Sequence, residues 1–145
     1  METSSLSFSE RISPFLGRGL IVGFYGVAAR YILINWSGVA SQLASHHVPL
    51  PSLVMIVALA MITWGCFSLL LGYHTRYGAV ILFSLTIVAT VTLHAFWRID
   101  DPVARQAEFG MFARNLAICG GLLVIIGLGC GPFGIHNRGP GGDDT

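Results

Sequence analysis

Four long apolar segments, separated by short polar stretches, dominate the pattern of this chain. They run over about residues 15–35, 53–72, 77–97 and 109–130. Each is close to the roughly 20 residues that a helix needs to cross a hydrocarbon core of about 30 Å. No water is available there to bond exposed peptide groups, so each segment is expected to be helical. The predicted fold class is all-α: an integral membrane four-helix bundle, up-down-up-down, forming one transmembrane domain over residues 15–131. A polar tail (1–14) precedes it and a Gly- and Pro-rich tail (132–145) follows. The first segment is too long for a cleavable signal peptide, and no small-x-small site precedes a soluble domain.

The connections refine this. "YHTR", residues 73–76, is so short that the second and third spans must be antiparallel neighbours. "WSGVASQLASHHVPLPS", residues 36–52, predicts a short interfacial helix capped by Ser37, with Val39 and Leu43 on its apolar side. Asp101-Pro102 is a helix-start signal, a carboxylate cap followed by proline in the first turn, so the fourth helix is expected to begin outside the bilayer.

Composition agrees. Hydrophobic residues make up 54% of the 145 and charged ones only 10%, with a mean hydropathy of +0.72. A soluble domain carries about 25% charged residues, so lipid is the expected solvent and first partner. Net charge is +1 and every basic residue is Arg; without a basic run, nucleic acid is excluded as a partner. Cys66, Cys119 and Cys130 lie in or at the end of apolar runs with no CxxC spacing, and read as small hydrophobes. No metal site is expected, since the adjacent pair His46-His47 reads as a solvated loop, nor haem, since only His94 lies inside a span. Arginines near span ends set orientation. Leaving aside Arg30 and Arg114, which lie within spans, Arg11, Arg18, Arg76 and Arg138 oppose Arg98 and Arg105. That places both termini on the cytoplasmic side.

Candidate chemistry comes from depth. In four alternating helices, Arg30 near the end of the first, His94 near the end of the third, and Arg114 and Asn115 at the start of the fourth share one half of the membrane. Intramembrane charge costs about 2.5–3.5 kcal/mol at mid-span, so such groups usually face an interior or a wet cavity. Two guanidinium groups, an imidazole and an amide beside apolar walls suit a quinone carbonyl or a small anion. Thr86, Thr90, His94 and Trp97 fall on one stripe of the third span, a hydroxyl ladder leading to the histidine. Gly19, Gly23 and Gly26 share a stripe with Arg30, and Gly120 and Gly127 define a second small-residue face; both suit close helix packing. Arg30 is expected to point inward from that face. The competing readings are plain: arginines snorkelling to headgroups, an interfacial histidine, and an aromatic belt of Trp36, Phe96 and Trp97.

Several stretches resemble the DoxX family of small bacterial and archaeal membrane proteins. They are "RGLIVGFYGVAARYI", "GCFSLLLGYHTRYGAVIL", "LHAFW", "ARNLAICGGLLVI" and "GCGPFGI", covering about residues 11–135. The family's common glutamate in the second helix is absent here, and arginine stands at 30 and 114 where lysine is usual. The resemblance implies a bacterial or archaeal plasma (inner) membrane and association with membrane redox systems, some relatives being subunits of thiosulfate:quinone oxidoreductase. Two functions follow. One is a membrane subunit or partner of a quinone-linked redox system, with Arg30, His94, Arg114 and Asn115 around a bound quinone and the electron carrier on a partner protein. The other is a non-catalytic accessory subunit whose glycine faces dock it to other membrane subunits or to a second copy. No cofactor motif lies in the chain itself.

Overall fold

In the computed structural model the structure describes residues 8–129, all helix and connection without a strand. The elements are α1 (Phe8–Ile34), α2 (Trp36–Ser45), α3 (Pro51–Leu71), α4 (Thr75–Leu93), a 3-10 turn (Phe96–Arg98) and α5 (Pro102–Leu128). Four of these helices, α1, α3, α4 and α5, are long and apolar enough to cross a membrane. The expected all-α bundle is what forms. The sequence expectations for Cys130, Arg138, the first seven residues and the tail 132–145 fall outside the described residues.

Local chemistry sets the helix ends. Pro51 and Pro102 open α3 and α5, where a missing N–H costs nothing. Asp101 accepts from the Ala104 N–H at 2.8 Å, so the cap read from sequence is made. α2 is the short helix expected in the first connection, but Asn35 stands at its N-cap position, not Ser37, and no side chain caps it. Gly72 ends α3 at φ 66°, a left-handed turn that glycine enters without a Cβ penalty. The Ser68 hydroxyl braces that turn, 2.7 Å from the Tyr73 carbonyl and 3.0 Å from that of His74.

α4 is the central helix, packed most extensively on α5 and then on α3, while α1 leans mainly on α3. The core is Tyr25, Ile62, Leu69, Ala79, Leu82 and Leu122. Two glycines bring α3 and α4 together: a Cβ at Gly65 would lie 2.6 Å from Leu82 Cγ, and one at Gly78 2.6 Å from Ser68 Cβ.

The glycines singled out from sequence lie on outward faces. Nothing lies within 4 Å of a Cβ built at Gly19, Gly23, Gly26, Gly120 or Gly127, so among the described residues none of them packs closely against another helix. Arg30 shares the α1 glycine face as expected, but it is exposed and does not point inward. The reason is a competition between faces. Arg18, Val22, Tyr25, Ala29 and Ile32 form a stripe turned by about 100° from the glycines. That stripe carries the bulk and the hydroxyl that dispersion and hydrogen bonding reward, so it packs inward.

Candidate functional site

The inward stripe of α4 is a ladder of small and polar groups: Thr75, Ala79, Leu82, Thr86 and Thr90 are all buried. Three rungs are bonded to other helices. Thr86 Oγ1 donates to its own Leu82 carbonyl at 2.7 Å and pairs with the Tyr25 hydroxyl of α1. The Asn115 amide of α5 donates to Thr90 Oγ1 at 2.9 Å. One turn further, His94 Nδ1 lies 2.7 Å from Glu108 Oε2, both side chains partly accessible. A polar seam therefore runs up the bundle interior and opens at one end on a histidine–carboxylate pair. α4 stops at Leu93, leaving His94 as its C-cap, so the ladder ends there and Trp97 belongs to the 3-10 turn instead.

The four residues proposed from sequence thus part company. Asn115 and His94 occupy successive rungs of the seam. Arg114 is exposed and lies over the Phe24 ring at 5.4 Å, a cation–π contact that ties α5 to α1. Arg30 makes no hydrogen bond or ion pair among the described residues. Among the described residues no hydrogen bond, ion pair or ring contact joins any of the four to another. A separate shallow hollow of about 440 Å³ lies beside the 3-10 turn, lined by Phe96, Pro102, Arg105, Gln106 and Phe109. Phe96 and Trp97 pack edge-on against Phe112, with Phe109 also on Phe96, while Trp97 stays half exposed.

Three contributors escaped the sequence reading. Tyr25 sits among apolar neighbours; its signal was its place seven residues from both Arg18 and Ile32 on one stripe. Glu108 lies on helix α5, which turns it to His94. Arg18 was counted as an orienting charge and is in fact 4% exposed. Its Nε donates to the Pro14 carbonyl at 3.2 Å and its Nη1 to the Leu69 carbonyl at 3.4 Å. Among the described residues no three His, Cys, Asp or Glu side chains gather where they would hold a metal ion.

Four apolar helices around an internal polar seam define a multi-pass membrane protein. Residues 24–139 match the model of the SURF4 family, and the chain belongs to that family. It is also similar to the inner membrane protein YphA of Escherichia coli (strain K12), 26% identical over 106 residues that cover 73% of this chain and 75% of that protein. No solved structure matches. The resemblance to DoxX is thereby corrected: the matching family is SURF4, and neither comparison returns DoxX. The stretches behind that resemblance, glycines at helix turns and a polar pair opening the last span, are features that small membrane bundles share for reasons of packing, and they do not discriminate among families.

Proposed function

We propose that this protein is a non-catalytic component of the plasma (inner) membrane that docks into a larger assembly through the glycine face of α1. One observation carries the reading: Gly19, Gly23 and Gly26 line a face with open space above each, and no described element covers it. Glycine in a helix interior costs about 1 kcal/mol relative to alanine, and close approach of a second helix is what offsets such a cost in lipid. Arg30 at the end of that face adds a cation for a partner's carboxylate or a headgroup. The test is purification from the native membrane in mild detergent. Gly23→Leu is expected to lose the co-purifying membrane subunit while the bundle's own melting temperature stays put; retention of the partner would refute the docking face, and self-association alone would identify a second copy as the occupant.

A second reading, a subunit of a quinone-linked redox system with the electron carrier and the quinone on the partner, is favoured by the His94–Glu108 pair. A histidine bonded to a carboxylate at a membrane boundary has the geometry of a proton-transfer pair. In the same preparation this reading expects quinone on extraction and loss of quinone-dependent turnover with His94→Ala; intact turnover would remove it.

A further inference from the structure

The opposite end of the bundle holds polar groups that neither reading uses. Thr75 opens α4; it is 4% exposed, and its Oγ1 is buried with no hydrogen-bond partner. The α4 N-terminus has no side-chain cap, since His74 at the N-cap position makes none. Tyr77 N–H turns back to the His74 carbonyl at 2.9 Å, which leaves the N–H groups of Thr75 and Arg76 as the first-turn donors without a backbone partner among the described residues. The N-terminus also carries the positive end of the helix dipole.

Arg18 reaches the same level from α1. The Leu69 carbonyl that it touches lies in the last turn of α3. Gly78 packs on Ser68 and Gly65 on Leu82, which fixes the α3–α4 register and sets Thr75 opposite about residue 71. Along the helix axis that is within about 3 Å of Leu69. Leu69, Thr75 and Arg18 are all buried, on the inward stripes of three helices. The guanidinium spends two of its five N–H donors on carbonyls and pairs with no carboxylate among the described residues. Among the described residues its Nη2 makes no hydrogen bond, and Thr75 Oγ1 is a buried side-chain oxygen without a partner. Arg76, next to Thr75, adds a second guanidinium at this end, with Nη2 3.4 Å from the Gly127 carbonyl of α5.

We propose that this end of the bundle binds a phosphate-type oxyanion, held by Arg18 Nη2, the Thr75 hydroxyl and the peptide N–H groups of Thr75 and Arg76. A lipid headgroup phosphate and a free phosphate share that chemistry. Without a ligand, the same groups would be a helix plug and an unsatisfied hydroxyl, and the isosteric change Thr75→Val would then stabilise the protein.

The experiment melts the full chain in an uncharged detergent with added phosphatidylglycerol, with diacylglycerol of the same tails, or with inorganic phosphate. Phosphatidylglycerol is expected to raise the melting temperature by several degrees and diacylglycerol to leave it unchanged. A saturating rise with inorganic phosphate as well assigns the site to a free oxyanion; a rise with the lipid alone assigns it to a headgroup. Thr75→Val is expected to shift the midpoint of the response roughly tenfold or more, the weight of a hydrogen bond to a charged group. Arg18→Lys, which keeps a charge without Nη2, is the second variant and is expected to weaken the response likewise. A wild-type protein stabilised by neither phosphate source, or a Thr75→Val protein that responds like wild type, overturns the proposal.

Discussion

Asn115 is the residue whose sequence signal and structural place agree best, an amide at the entrance of an apolar helix that turns inward to a threonine. In lipid such a bond has no water to replace it, yet side-chain hydrogen bonds between membrane helices average only about 0.6 kcal/mol and reach about 1.7. Asn115→Ala therefore is expected to cost about 1–2 kcal/mol, the lost bond plus the cavity beneath a buried side chain, read as unfolding free energy in detergent. A double-mutant cycle with Thr90→Val should show a coupling of about 0.6 kcal/mol; a coupling of zero would mean that the bond does not form. Its neighbour Arg114 carries the opposite lesson. A charge beside that amide was legible as costly, but its partner is the face of Phe24, and a ring offers no charge pattern for a sequence reader to pair with.

The helices themselves were legible because mean hydropathy and length report directly on the solvent they need. Which face of a helix packs was not, and glycine shows why. A small residue permits close approach but supplies no contacts, so the inward face goes to whichever stripe brings bulk and bonded hydroxyls. On α1 that is the stripe of Arg18 and Tyr25; on α3 and α4, Gly65 and Gly78 are drawn in beside Leu82 and Ser68. The two kinds of glycine should respond in opposite ways. Gly65→Ala puts a methyl 2.6 Å from Leu82 Cγ and is expected to destabilise by about 1–3 kcal/mol. Gly26→Ala meets open space, and its better helix propensity is expected to leave stability unchanged or raise it by up to about 1 kcal/mol. Equal effects of the two substitutions on the melting temperature would contradict the packing described.

At the scale of the molecule, four crossings return the chain to the side from which it started. Orientation rests on few charges once Arg18 is recognised as buried, since it then acts within the bundle rather than in a loop. Reporter fusions at the two ends are expected to give the same answer, cytoplasmic for both; opposite answers would remove one of the four spans. The polar seam was half legible: the threonine stripe of α4 and His94 stood out, whereas Tyr25 and Glu108 depend on how three helices meet, which no single stretch of sequence records.

The crossing helices are unequal, and this has a consequence for the membrane they suit. α3 and α4, with 21 and 19 residues, are about 30 Å long, while α1 and α5, with 27 each, reach about 40 Å. The two long helices run in opposite directions, so each surface of the bilayer has one amino-terminal stalk rising above it. The short inner pair acts as a gauge of hydrocarbon thickness. A bilayer several ångströms thicker would have to thin around the α3–α4 turn, while the stalks would simply sink, so thickness is sensed on one side of the bundle and ignored on the other.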